Sequence, residues 1–179
     1  MFRPACSTAV VTVGGERLRI AWTNAGIAFI EKETLRAKGA IARRMRMDLT
    51  DAALPAALLD TLLETAAGSN NGAVPLDLSW ANEFEREVLD AARQIPCGET
   101  RPYNWLAREA RRPLAVRAAA SVMARNPLWL LVPCHRVIYA DGTLGPYGSS
   151  GAQRKRTLLK REGVEVRAHA TKQRAGKKR

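Results

Sequence analysis

At 179 residues the chain can hold one domain of good size or two small ones packed together, and its 46% hydrophobic content is that of a folded protein. Lysine and arginine number 29 against 17 aspartate and glutamate, a formal net charge of +12 that favours a polyanionic partner, because neutralising phosphates releases condensed counterions. No run approaches the roughly 20 apolar residues of a membrane span, and the start of the chain (1–9) is too short and polar for a secretory signal, so an intracellular, cytoplasmic address with no membrane partner is expected, nucleoid-associated if the source is bacterial.

The basic residues are clustered. Residues 101–117 contain five arginines and one acid, 154–161 are again basic, and 167–179 carry no acid at all. The three cysteines, Cys6, Cys97 and Cys134, form no CxxC pair, and the only histidines are His135 and His169. That supply argues against a disulfide scaffold and a cysteine-rich zinc site, so no metal and no cofactor are expected.

In chain order, 9–13, 17–23 and 26–31 are β-rich runs, with Arg17 and Arg19 alternating with Leu18 and Ile20. Gly14-Gly15 and Asn24-Ala25-Gly26 supply the turns of a small antiparallel sheet. Residues 32–47 are expected to be helical. Asp51 then caps a helix through Leu54, Leu58, Leu59, Leu62 and Leu63, stopped by Gly68; 69–73 form a polar link and 74–78 a short extended piece.

Asn82 and Glu85 have the spacing of a capping box ahead of the stripe Phe84, Val88, Leu89, Ala92, and Pro96 and Gly98 end that helix. A helix over 103–110, the Arg111-Arg112-Pro113 turn, and a helix over 114–124 opened by Pro113 make a helix-turn-helix pattern. The apolar run 128–132 reads as a buried strand or extended segment. Asp141-Gly142 turns the chain, 145–151 is glycine-rich, 152–162 is a basic amphipathic helix ended by Gly163, and the tail from 167 has the composition of a disordered segment. The expected architecture is α/β (α+β) in two parts: an N-terminal α/β domain (1–80), a mostly helical, winged-helix-like domain (81–165) and a basic tail (166–179).

A thiol is a useful nucleophile only as thiolate, and an ordinary pKa of about 8.5 leaves little of that form at neutral pH. An imidazole can take the proton directly or through a water. Cys134 stands beside His135, but neighbours on an extended strand face opposite ways, so the pair needs a turn or a bridging water. Cys6 and Cys97 have no such neighbours and read as small hydrophobes.

The wider string carries more. Asn126-Pro127 followed by Pro133-Cys134-His135-Arg136-Val137 resembles the signature of the O6-alkylguanine–DNA alkyltransferases (methylated-DNA–protein-cysteine methyltransferases). The resemblance runs from about Phe84 to Gly163 and includes Ile95-Pro96-x-Gly98-Glu99-Thr100, Tyr103-x-x-Leu106-Ala107, Arg117, the glycine-rich loop with Tyr147, and Arg154-Lys155-x-x-Leu158-Leu159-x-x-Glu162-Gly163.

The resemblance implies a DNA repair protein that moves methyl or other alkyl groups from O6 of guanine irreversibly onto Cys134, one lesion per molecule, with O4 of thymine as a further possible substrate atom. It implies double-stranded DNA as partner, a monomer, minor-groove binding by the helix-turn-helix and flipping of the damaged base. Ala118, Ala119, Ala120 and Ser121 are the small residues that let a helix press on the groove, and Arg117 is the finger that fills the space of the flipped base. Tyr103 crowds the rotated phosphate and supplies a proton to the departing guanine. Glu162 orients His135, His135 acts through water on Cys134, Asn126 braces the active-site turn, and Arg136 holds the turn after the nucleophile. Val137 lines the pocket and offers its carbonyl to the guanine amine, Tyr147 forms a wall, and Gly148 stands near the backbone N–H that meets the guanine oxygen.

Three places depart from the family pattern. Pro102 stands where serine is usual, the 145–151 loop is one residue longer, and Trp129 is bulky at the pocket mouth, which implies poorer handling of benzyl than of methyl groups. Other readings of the residues are a non-catalytic protein that flags alkylguanine for another pathway, a helix-turn-helix regulator with an incidental cysteine, and a Cys/His hydrolase, which would need an oxyanion site.

Overall fold

The computed structural model describes residues 6–67, 74–145 and 151–166. Strands β1 (Cys6–Val13), β2 (Glu16–Thr23) and β3 (Gly26–Lys32) form an antiparallel meander. Its first turn uses Gly14 and Gly15 at φ 57 and 80, backbone that glycine adopts without steric cost. The arginine/leucine alternation of β2 does what a period of two requires: Leu18 and Ile20 are buried while Arg17 stays in solvent.

The sheet differs from the purely antiparallel one expected. Helix α1 (Ala37–Met45) is shorter than the 32–47 segment and carries the chain across to β4 (Leu49–Asp51), which pairs parallel with β1 in the order β3-β2-β1-β4. A three-residue strand has too few alternations to leave a period in the sequence. Asp51 consequently caps nothing: its carboxylate is taken by Arg19 (3.2 Å) and Lys38 (2.5 Å). Helix α2 (Ala56–Ala66) begins instead after Pro55, whose fixed φ suits a helix start. Gly68 and the link 69–73 lie outside the described residues. Residues 74–78 are extended and lie against the start of β3, with Ile27 N–H donating to the Pro75 carbonyl and Asp77 N–H to the Ile27 carbonyl.

Helix α3 (Glu83–Arg93) starts on the capping box, the Asn82 side chain accepting from Glu85 N–H (2.9 Å) and Glu85 accepting from Asn82 N–H (3.1 Å). The two-residue strand β5 (Arg101–Pro102) precedes α4 (Tyr103–Glu109) and pairs parallel with β6 (Val137–Ile138). Pro102 occupies the N-cap of α4 and makes no capping hydrogen bond. Helix α5 (Val116–Ala124) begins at Val116 rather than at Leu114, because Ala115 N–H closes a turn on the Arg112 carbonyl and Pro113 falls inside that turn. The run 128–132 is a helical turn and not a strand: Val132 N–H donates to Leu128 O (2.8 Å) and Leu131 N–H to the same carbonyl (2.9 Å). Leu128, Leu131 and Val132 face inward while Trp129 and Leu130 are half-buried, so the apolar run hid a helical period. Helix α6 (Gly151–Arg161) ends before Gly163, at φ 77. The tail 167–179 lies outside the described residues.

The sheet is a middle layer. The two-residue alternation of β2 buries side chains on both faces, Leu18, Ile20 and Trp22 on one and Ala21 on the other. Ala21, Ala28 and Phe29 pack with Ile41 and Met45 of α1. Leu18, Ile20, Trp22, Ile27 and Ile30 join one cluster with Val88, Leu89, Leu106, Val122, Leu128 and Val132. At the free edge of the sheet, Ile30 N–H donates to the Pro127 carbonyl (2.9 Å), so β3 is docked onto the segment that leads to Cys134.

Gly26 is the tightest point of this arrangement. Its φ is 137, and a Cβ there would lie 2.2 Å from the Pro75 carbonyl oxygen. Gly26→Ala is expected to cost about 3 kcal/mol or more, because both the backbone conformation and the 74–78 contact must give way. Urea unfolding of the two proteins measures this; a loss under about 1 kcal/mol would contradict the packing.

Candidate active site and nucleic-acid face

Cys134 opens a single 3-10 turn, Cys134–Arg136, and its presentation follows from the residue before it. Pro133 sits at φ −76, ψ 64, the geometry of an inverse γ-turn, and Cys134 N–H closes that turn on the Val132 carbonyl at 2.7 Å. The same carbonyl accepts from Asn126 Nδ2 (3.2 Å), while Asn126 Oδ1 accepts from Leu128 N–H (2.9 Å). One asparagine thus fixes both ends of the 128–132 turn. The thiol is 5% exposed and lines a cleft of about 320 Å³.

The turn brings His135 and Glu162 together. His135 Nε2 lies 2.8 Å from Glu162 Oε1, and Arg136 forks onto the same carboxylate through Nε (2.9 Å) and Nη2 (3.0 Å) while its Nη1 donates to the Ile95 carbonyl (2.7 Å). Burial alone would raise the Glu162 pKa, but the donors on His135 and Arg136 pull it down to about 2. A carboxylate facing Nε2 makes that nitrogen the N–H donor of the neutral ring and leaves Nδ1 as the acceptor. Nδ1 is buried and has no hydrogen-bond partner among the described residues. It is therefore the available base, and the thiol does not bond to it directly.

Tyr103, first residue of α4, is buried; its ring lies 5.5 Å from that of Tyr139, and burial pushes its hydroxyl pKa above the usual phenol range. Gly145 is pressed against it, since a Cβ there would lie 2.5 Å from the Tyr103 oxygen. Behind the ring stands Lys155, which sequence reasoning did not single out. It is fully buried, its Nζ lies 5.7 Å from the Tyr103 ring centre and donates to the Val137 carbonyl, and burial lowers its pKa to about 8 against the opposing pull of Cys134. A signal was present: Lys155 stands at i−3 and i−4 from Leu158 and Leu159, on the apolar stripe of α6. Val137 is itself buried, and with Lys155 on its carbonyl only the second lone pair is left for a base. Tyr147 and Gly148 lie outside the described residues.

Trp129 is at the cleft with Cys134 and Arg154, and the Arg154 guanidinium lies 5.1 Å from the Trp129 ring while reaching Glu16 of β2 at 3.3 Å. Phe29, Ile30, Glu31 and Lys32 of β3 form the opposite side. On α5, Arg117, Ala118 and Ser121 are exposed on one face, Ala120 is half-buried, and Ala119 is fully buried and belongs to the core. Of the other cysteines, Cys6 is buried with a pKa pushed up to about 11 by burial, in keeping with its reading as a small hydrophobe, whereas Cys97 is exposed.

Fold and site together define a helix-turn-helix protein that presents a buried cysteine on a turn beside a His135–Glu162–Arg136 cluster. Residues 83–164 match the family described as 6-O-methylguanine DNA methyltransferase, DNA binding domain. The chain is 44% identical over 107 residues to the methylated-DNA–protein-cysteine methyltransferase of Salmonella typhimurium, covering 60% of this chain and 54% of that protein. It is 48% identical over 89 residues to the bifunctional transcriptional activator/DNA repair enzyme Ada of Escherichia coli, covering 50% of this chain and 25% of that one. The matched part thus spans between a quarter and about half of these curated relatives. The crystal structure of Mycobacterium tuberculosis O6-methylguanine methyltransferase superposes with a TM-score of 0.68 at 30% identity over 92% of this chain and 96% of that one. The same organism's protein in complex with DNA gives 0.67 at 31% identity, over 88% and 93%. The chain belongs to the O6-methylguanine–DNA methyltransferase family. No described helix is long and apolar enough to cross a membrane.

The depressed Glu162 pKa sets a pH dependence. A carboxylate whose folded pKa lies below its ordinary 4.5 contributes stability that is complete above that value and is lost as pH falls toward about 2. Glu162→Gln is therefore expected to be less stable than wild type by on the order of 3 kcal/mol near neutrality, with the gap closing between those two pH values. Thermal or urea unfolding across that range reads it; a gap independent of pH would show that the His135–Glu162–Arg136 contacts do not depend on the carboxylate charge.

Proposed function

We propose that this chain repairs O6-alkylguanine in double-stranded DNA by taking the alkyl group onto Sγ of Cys134. The observation that carries the proposal is the relay from Glu162 through His135 to a base nitrogen beside the turn that presents the thiol, within a family whose relatives are named for this transfer. The thiol proton passes through a water to His135 Nδ1, and Glu162 holds the imidazolium by its Nε2–H. The positive charge of Lys155 favours the thiolate. The thiolate attacks the alkyl carbon, a C–S bond forms, the C–O6 bond breaks with its electrons going to guanine, and Tyr103, kept in its protonated form by burial, supplies the proton the departing base needs. The product thioether is stable and no group regenerates the thiol, so each molecule acts once.

DNA recognition rests on α5. Its exposed face of Arg117, Ala118 and Ser121 lets the backbone approach a groove closely, and Arg117 takes the place of the flipped base. The charge of +12 supplies the phosphate attraction. Asn126 is a positioning residue, acting through the Val132 carbonyl.

Intact-mass measurement after mixing with methylated duplex tests the proposal: wild type is expected to gain one methyl, localised to Cys134, and Cys134→Ser none. Tight binding of the lesion without a mass change would instead support a protein that flags lesions for another pathway, and sequence-selective binding to undamaged DNA a regulator. The Trp129–Arg154 stack at the cleft sets a second expectation, slower reaction with O6-benzylguanine than with O6-methylguanine in the same oligonucleotide; equal rates would remove Trp129 as a size limit.

A further inference from the structure

The turn that ends α4 puts an arginine where glycine is ordinarily found. Arg112 N–H donates to the Ala107 carbonyl and Arg111 N–H to the Arg108 carbonyl, both at 2.9 Å. This pair of bonds is a Schellman motif, and it requires a left-handed residue at Arg111, whose φ is 54. A side chain in that conformation costs free energy that glycine avoids, and such strain persists where the surroundings or the function hold it.

Nothing among the described residues explains the arginine. Its side chain is exposed and makes no ion pair or hydrogen bond among the described residues. Arg112, by contrast, lies over the Phe84 ring (5.5 Å) and reaches Glu83 (3.5 Å). Later in the same turn Leu114 is 98% exposed. It directly precedes the N-cap of α5 and stands three residues ahead of Arg117. The chain between them is held in place, Ala115 N–H bonding to the Arg112 carbonyl. An unpaired cation and a bare leucine in one ordered turn, continuous with the small-residue face of α5, match a duplex: phosphates for the guanidinium, and the apolar faces of deoxyriboses for the leucine.

We propose that the α4–α5 turn is a DNA-contact element in its own right, Arg111 meeting a backbone phosphate and Leu114 packing into the minor groove beside the nucleotide that Arg117 displaces. This rests on the DNA-binding reading above and adds two contacts to it.

Arg111→Gly separates a structural from a binding role, because the two predict opposite signs. Relief of the left-handed strain is expected to leave Tm unchanged or raise it by about 2 °C. Loss of a phosphate contact is expected to weaken duplex binding about 3- to 10-fold and to lower the slope of log Kd against log salt by about one. Arg111→Lys should keep the salt slope. Leu114→Ala should weaken binding several-fold with the slope unchanged. Fluorescence anisotropy of an undamaged duplex at several salt concentrations, with thermal unfolding of each variant, reads all of these. A Tm that falls for Arg111→Gly, or a Kd and slope identical to wild type, overturns the Arg111 contact; an unchanged Kd for Leu114→Ala overturns the Leu114 contact. These readouts need no alkyl transfer, so a wild type that binds duplex but gains no mass on methylated DNA refutes the transfer reading alone.

Discussion

The carboxylate of Glu162 holds the site together. Arg136 is a buried cation, and a buried charge without its partner costs several kcal/mol. The forked pairing with Glu162 is therefore forced by burial. Because the third guanidinium nitrogen reaches the Ile95 carbonyl, one carboxylate ties the end of α6, the Cys134–Arg136 turn and the segment after α3 into one unit. The remaining capacity of Glu162 goes to His135 Nε2. The tautomer, the orientation of the ring and the availability of Nδ1 all follow from that contact, so the residue that secures the fold also decides which histidine nitrogen can accept a proton.

The N-terminal half reaches the site at its edges. The edge of β3 closes on the Pro127 carbonyl, next to the asparagine that braces the 128–132 turn. Arg44 of α1, lying between Phe29 and Trp80, donates to the Arg125 carbonyl just past the end of α5. The guanidinium thereby satisfies a helix-end carbonyl that has no intrahelical partner. Glu16 holds Arg154 against Trp129 from the same side. The sheet thus supplies one wall of the cleft through β3 and is bonded to the residues that flank it.

In the DNA recognition proposed for this chain, charge and shape divide the work. Net charge draws in a polyanion over a range set by salt, and it carries no selectivity. Shape is local. The exposed face of α5 is nearly free of long side chains between Arg117 and Arg125, and the turn before it projects Arg111 and Leu114. A flat helix flanked by projecting residues suits a narrow groove better than a broad one, because close backbone approach depends on the missing side chains.

Several features were legible in the residues alone. The β2 alternation, the Asn82–Glu85 capping box and the helix-turn-helix are local patterns, each specified by residues within a turn or two of one another. The Asn126 to Val137 string and the Glu162-Gly163 ending named residues that the fold brings together, His135, Arg136 and Glu162 among them. Other features were decided by contacts distant in sequence. Strand β4 exists because β1 offers it an edge, and Asp51 is drawn from capping by Arg19 and Lys38. The place of Lys155 in the site was decided only when the fold set its ammonium under Tyr103 and against the Val137 carbonyl, 18 residues away in sequence. The sequence by itself, through its resemblance to the family, named the residues proposed to carry the chemistry, because that motif is a contiguous or closely spaced string. Tertiary structure alone decided that Glu162 serves His135 and Arg136 at once, since a carboxylate 26 residues from the guanidinium can be assigned to it only when the chain has folded back upon itself.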